Sequence, residues 1–196
     1  MASTATYHLG RLRTVTVPLT ELYRFSRSPA SEPFWATQAL HRFDSLSRSF
    51  GVLYCGDSPE TAFAESVLHS GSNKWDERMG AYLLSESELA ARHLVAYSHP
   101  HKTELLLADL TGTGLKAIGL NNDVSSSMDY CLTQRLSDSL HDHDAALDGI
   151  QYISRQHNRN CCYATFQRSG VQHDSHAELS DELMRVLCDS FNVALI

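Results

Sequence analysis

Glu65 is the first residue whose setting suggests chemistry. It is the one charged group in Ala62-Phe63-Ala64-Glu65-Ser66-Val67-Leu68, a largely apolar stretch. With Pro59 as the first helical residue, Ala62, Glu65 and His69 share a face by i, i+3 and i+7 spacing, while Phe63, Val67 and Leu68 cover much of the rest. Such a carboxylate either lies on a narrow solvent stripe or points into a cleft. The stripe is the commoner outcome for an amphipathic helix, but the small Ala and Ser neighbours leave room for a ligand.

Arg24 lies in Leu22-Tyr23-Arg24-Phe25, which alternates as a half-buried strand does, with Leu22 and Arg24 on one face and Tyr23 and Phe25 on the other. A strand arginine is commonly exposed or paired with a carboxylate; its functional use is a fork that grips phosphate or ribose oxygens. Tyr54 ends the run Gly51-Val52-Leu53-Tyr54 just before a turn and a helix. There it is either core or a flat face for a planar cationic ring. Ser154 and Arg155 follow the apolar run Ile150 to Ile153, and strand ends beside turns are common places for ligand groups.

Other chemistries find less support. The chain has 11 histidines, and His99-Pro-His101, His141-Asp-His143 and His173-Asp-Ser-His176 are the dense groups. None has HExxH spacing or a second Cys/His pair at zinc distance, so solvated loop histidines are expected and no metal site. The serine elbow GxSxG of Ser-His-Asp hydrolases is missing. Cys161-Cys162 sits in a strand-like run where nothing marks a low thiol pKa. No Gly-rich dinucleotide fingerprint follows any strand.

The elements that must position these residues are short. Thr14 to Val17 and Leu22 to Phe25 read as strands, as does Val52 to Cys55, which Gly56-Asp57 closes. Ser58 as N-cap, Pro59 at the first helical position and Glu60 in the first turn start a helix to about Ser70, stopped by Gly71. A second short helix starts near Ser85 or Ser87. Leu105 to Leu110 reads as a buried strand running into a Thr-Gly-Thr-Gly turn, and Tyr130 to Leu140 carries Leu132, Leu136 and Leu140 at helical spacing. Gly149 to Ser154 and Cys162 to Phe166 read as paired strands, Asp181 to Phe191 as a helix, and Val193 to Ile196 as a strand closing the sheet. Helices fall irregularly between strands, which is α+β organisation rather than a βαβ repeat.

Bulk properties narrow the function classes. A chain of 196 residues without repeats or a linker suits one domain, 1–196. Net charge is −7 with no Lys/Arg-rich run, which argues against nucleic-acid binding. Five cysteines without a CxxC fit a reducing compartment. No signal peptide and no apolar run of ~20 residues is present, so a cytoplasmic protein that does not cross a membrane is expected.

Taken in order, these pieces resemble the RES domain, named for its Arg, Glu and Ser. The likeness is carried by Leu22-Tyr23-Arg24-Phe25, His41-Arg42-Phe43 and the run from Val52-Leu53-Tyr54-Cys55-Gly56-Asp57-Ser58-Pro59 to Glu65. Leu107-Ala108-Asp109-Leu110-Thr111-Gly112, Ile118-Gly119-Leu120, Tyr130 with Thr133-Gln134, Asp148 to Arg155 and Cys162 to Phe166 continue it. The chain departs from the family pattern at Leu40-His41-Arg42-Phe43, where a Gly-Gly-Arg-Trp-like run is usual, and at Arg135, where a Trp is common.

The resemblance implies a fold like that of ADP-ribosyltransferase toxins, a split, curved β core with helices around it and an NAD+ cleft. It implies a toxin that degrades NAD+ by hydrolysis or phosphorolysis, or else transfers ADP-ribose to a protein, held in check by a cognate antitoxin or immunity protein. NAD+ is then the substrate and no cofactor is needed. Carried onto this chain, Arg24 binds the dinucleotide, with Arg42 as a second anion-binding group and Tyr23 and Arg155 as further substrate contacts. Tyr54 stacks on nicotinamide, Glu65 steadies the nicotinamide ribose and Ser154 shapes the pocket. Many protein-modifying transferases carry a second Glu or Gln two residues before the key Glu. Phe63 stands there in this chain, which favours NAD+ breakdown.

Overall fold

The computed structural model describes residues 7–69 and 75–196. Along the chain run β1 (Thr14–Pro18), β2 (Arg24–Ser26), β3 (Val52–Gly56), β4 (Trp75–Asp76), β5 (Ala81–Leu84) and β6 (His93–Ser98). They are followed by β7 (Glu104–Leu110), β8 (Gly149–Ile153), β9 (Cys161–Phe166), β10 (Gln172–Glu178) and β11 (Val193–Leu195). Helices α1 (Pro59–Phe63), α2 (Glu86–Ala90), α3 (Gly112–Ala117), α4 (Asp123–Ser126), α5 (Cys131–His141) and α6 (Asp181–Phe191) fall between them. The fold is α+β with its strands divided among a five-stranded sheet, β1-β7-β8-β9-β3, and two three-stranded sheets, β10-β6-β2 and β11-β5-β4.

The five-stranded sheet is buried on both faces, which explains the consecutive apolar residues Leu105-Leu106-Leu107-Ala108 of β7. Leu105 and Leu107 point to a layer shared with Val95, Tyr97 and Tyr163. Ala108 and Leu110 point the other way, onto Leu136 and Leu140 of α5, Leu115 of α3 and Phe43 and Phe166. A two-sided burial leaves no polar face, so period-2 alternation disappears. Each fully buried Leu or Phe here contributes roughly 1.5–3 kcal/mol relative to exposure.

Between β3 and α1 the chain makes the joint on which the site depends. Ser58 Oγ accepts from the Thr61 amide at 3.2 Å and Pro59 opens the helix, as the capping pattern requires. The end of β3 lies so close to α1 that a methyl group on Gly56 would come within 2.6 Å of the Ala62 nitrogen. The same glycine bridges to Tyr23 through two backbone hydrogen bonds, of 2.8 and 3.0 Å, linking β2 to the edge of the large sheet.

Several expectations need correction. The helix from Pro59 is α-helical only to Phe63 and widens into a π-helical turn over Ala64–Leu68, where the His69 amide bonds the Ala64 carbonyl at 3.1 Å. Its expected end at Ser70 and Gly71 lies outside the described residues. The Thr-Gly-Thr-Gly turn is in fact the start of α3. The C-terminal strand β11 runs parallel to β5 in a sheet of its own. His173 and His176 belong to β10, not to a loop. Leu22 and Phe25 are both buried, while Tyr23 and Arg24 are both partly exposed. Strict alternation fails there because β2 is an edge strand only three residues long. No described helix is long and apolar enough to cross a membrane.

Candidate functional site

A cleft of about 260 Å³ opens where β2, the ends of β3 and β8, and α1 with its π-helical turn meet. The helix offers Ala62, Glu65, Ser66 and His69 to it, so the expected shared face exists and Glu65 faces a cleft rather than a solvent stripe. A π-helical turn is often found at functional positions because it re-aims side chains that regular α-helical spacing would place elsewhere.

Glu65 is held from behind by the β8–β9 loop. Its Oε1 accepts from Ser154 Oγ at 2.6 Å, from the Arg155 amide at 2.9 Å and from the Gln156 amide at 3.2 Å. Ser154 Oγ accepts the His157 amide at 2.8 Å, so its own proton is committed to the carboxylate. Among the described residues Oε2 has no hydrogen-bond partner, which leaves that oxygen for a ligand. The loop is itself anchored by Asp57, which accepts from the Cys161 amide at 2.7 Å and from Thr61 Oγ1 at 2.8 Å.

Ser154 therefore has a different place from the one expected of it. It is 1% exposed and meets the back of the carboxylate instead of the cleft wall, so it positions Glu65. Ser154→Ala removes two hydrogen bonds and strands the His157 amide; unfolding in urea is expected to show a loss of about 1–3 kcal/mol.

Arg24 donates from Nε to Glu32 Oε1 at 2.9 Å and from Nη1 to the Tyr54 carbonyl at 3.0 Å. Glu32, with a side chain 1% exposed, also accepts from the Phe34 amide and the Tyr97 hydroxyl through Oε2. Burial pushes the Glu32 carboxyl up, but the charge and hydrogen bond of Arg24 and the Phe34 amide outweigh it and hold its pKa below the ordinary value. Burial works against the Arg24 charge as well, and Glu32 reverses that, raising its pKa. Arg24 is thus a neutralised cation.

Tyr54 has its hydroxyl fixed between Asp44 Oδ1, to which it donates at 2.8 Å, and the Phe43 amide, from which it accepts at 3.0 Å. Its ring borders the cleft with His41 edge-on at 5.5 Å. Arg42 donates from Nη1 to the carbonyls of Val124 and Ser127, and its guanidinium lies 4.8 Å from the Tyr130 ring centre. Tyr152 forms part of the wall; burial first, then neighbours including Glu65, raises its hydroxyl pKa well above the usual value. The thiols of buried Cys55 and half-buried Cys161 are poor nucleophiles: desolvation pushes Cys55 up to about 12 and Cys161 to about 11.

The cleft collects Tyr23, Arg24, Arg42, Tyr54, Glu65 and Arg155, residues separated by as much as the span from 23 to 155. Sequence reading did not single out Glu32, Ser125 or Tyr152. Glu32 stands in a Ser/Pro-rich stretch with no local pattern to mark it, and Tyr152 is hidden in a strand of ordinary apolar type.

A family model described as RES domain matches residues 21–184 of this chain. Among solved structures, a chain of the M. tuberculosis MbcT-MbcA toxin-antitoxin complex is similar in fold, with a TM-score of 0.57 and 19% identity over 88% of this chain and 91% of that one. No curated protein matches the chain in sequence.

Proposed function

Because the chain belongs to the RES domain family, we propose that it is a toxin that breaks the nicotinamide–ribose bond of NAD+ and so depletes the NAD+ of the cytoplasm in which it acts. On this reading the whole chain, 1–196, is one RES domain. The observation that carries it is Glu65: a carboxylate in a cleft, fixed at one oxygen by three donors and open at the other.

The chemistry follows from that arrangement. The C1′–N bond breaks with its electron pair leaving on nicotinamide, which departs neutral from a cationic ring, so no acid is needed. Positive charge grows on the ribose, as in glycoside cleavage. Glu65 Oε2 accepts hydrogen bonds from ribose hydroxyls and stabilises that charge; charge-assisted bonds contribute about 1.5–3 kcal/mol each. Tyr54 offers its fixed ring to nicotinamide, while Arg24, Arg42, Tyr23 and Arg155 position the rest of the dinucleotide, converting binding energy into orientation. An oxygen of water or inorganic phosphate then bonds to C1′, and the proton of water passes to solvent.

Phe63, two residues before Glu65, is fully buried, so no carboxylate stands there to activate a protein acceptor. This favours NAD+ breakdown over ADP-ribosyl transfer to a protein. A cognate antitoxin or immunity protein is the proposed partner, in keeping with the complex that supplied the structural likeness.

Purified protein incubated with NAD+ is expected to release nicotinamide without any protein acceptor, and repeating the reaction with and without phosphate identifies the acceptor. Labelling of an added protein in place of free product would move the assignment to ADP-ribosyl transfer. No release and no labelling would overturn it.

A further inference from the structure

The wall of the cleft contains a buried hydroxyl that the fold leaves unsatisfied. Ser125, on α4, is 4% exposed and contributes to the cleft wall, yet its Oγ has no hydrogen-bond partner among the described residues. Leaving a buried hydroxyl unpaired is unfavourable, a penalty that a ligand atom supplying the missing bond removes. The neighbouring chain explains what kind of ligand that is. Arg42 is held by the carbonyls of Val124 and Ser127, on either side of Ser125, and backed by Tyr130. Only its Nη1 is used in those bonds, so Nε and Nη2 retain donors. No carboxylate lies within ion-pair distance of Arg42 among the described residues, whereas Arg24 is neutralised by Glu32.

Arg24 and Arg42 therefore do different work in the cleft. Arg24 brings a compensated charge; Arg42 brings a rigid, uncompensated one, with a donor hydroxyl carried on the same helix, α4, whose Val124 carbonyl clamps it. We propose that Arg42 and Ser125 together form a phosphate-binding corner, in which the Ser125 hydroxyl donates to a phosphate oxygen that the Arg42 guanidinium also grips. The proposal rests on the dinucleotide reading and refines it by assigning Ser125, a residue without a role there, to the phosphate group. The phosphate belongs either to the diphosphate of the dinucleotide or to free inorganic phosphate.

Calorimetric titration of wild type and Ser125→Ala with ADP, with adenosine and with inorganic phosphate tests this. A charge-assisted bond of about 1.5–3 kcal/mol corresponds to a loss of at least about 10-fold in affinity. The variant is expected to bind ADP at least about 10-fold more weakly, to bind adenosine as wild type does, and to have an unchanged or higher Tm without ligand, because an unpaired hydroxyl has been removed. A loss confined to inorganic phosphate also supports the corner and names the free anion as its occupant. Unchanged affinity for both ADP and phosphate overturns the proposal, as does an equal loss for adenosine. A lowered Tm with unchanged affinities overturns it too, by making the hydroxyl part of the packing. Wild-type protein that binds neither ADP nor NAD+ would instead remove the dinucleotide reading, so the two failures are distinct.

Discussion

Glu65→Gln is expected to slow nicotinamide release by about 100-fold or more, as followed by product chromatography under saturating NAD+. The substitution is nearly isosteric, and its side-chain oxygen still accepts from Ser154 and from the Arg155 and Gln156 amides. What it lacks is the negative charge facing the ribose. If that charge acts mainly when the ribose becomes cationic, the loss appears in kcat with KM little changed, because the interaction is stronger in the transition state than in the bound substrate. A loss of about 100-fold equals roughly 2.7 kcal/mol of transition-state stabilisation, the size seen for removal of a single well-placed electrostatic group. Glu65→Gln with wild-type kcat would remove the mechanism.

Glu32→Ala should have the largest effect on stability, about 3 kcal/mol in urea unfolding, near the low end for breaking a buried ion pair. Glu32 is almost fully enclosed and satisfies Arg24, the Phe34 amide and the Tyr97 hydroxyl together. Its removal leaves the Arg24 charge without compensation, eased by the 21% of the side chain that still meets solvent. The same pair imposes a pH dependence. The folded pKa of Glu32 is below the ordinary carboxylate value, so its contribution is complete above that ordinary value and is lost as pH falls through the lowered one. Wild-type stability should therefore drop in acid below about pH 4, and the difference between wild type and Glu32→Gln should shrink over the same window. A difference that stayed constant down to the lowest pH would show that the charge of Glu32 is not what stabilises this corner.

These two residues also mark how far the sequence could be read. Glu65 was recognisable because its surroundings are local: an N-cap, a proline and apolar spacing fix a helix, and one charge on that helix is conspicuous. The bounds of α6, Asp181–Phe191, were legible for the same reason, since Ser180 caps it and Asn192 ends it in the left-handed conformation. Glu32 carried no such signal. Its significance comes from Arg24 eight residues away and Tyr97 sixty-five residues away, and no local rule connects them.

Ser154 shows the intermediate case. Its membership in the site followed from the family resemblance, but its task depended on which way the β8–β9 loop folds over residue 65. Ser125 is the opposite case: nothing in Asp123-Val124-Ser125-Ser126 distinguishes one serine from the other, and only burial separates them, the first enclosed and the second exposed. The departure from α-helical geometry at Ala64–Leu68 was equally hidden, because π and α turns differ by one residue in hydrogen-bond span and share the same side-chain preferences.

Capping, breaking residues and periodicity act over a few positions, so the α+β class, the strands β1, β3, β7, β8 and β9, the helices α5 and α6 and the conspicuous charge of Glu65 were written in the amino-acid order alone. The convergence of Arg24, Arg42, Tyr54 and Glu65, the ion pair behind Arg24 and the unpaired hydroxyl of Ser125 were decided by tertiary packing. Those features join segments as far as 85 residues apart, as in the Arg42–Ser127 bond, and the energy that selects such contacts exists only once the fold has brought the segments together.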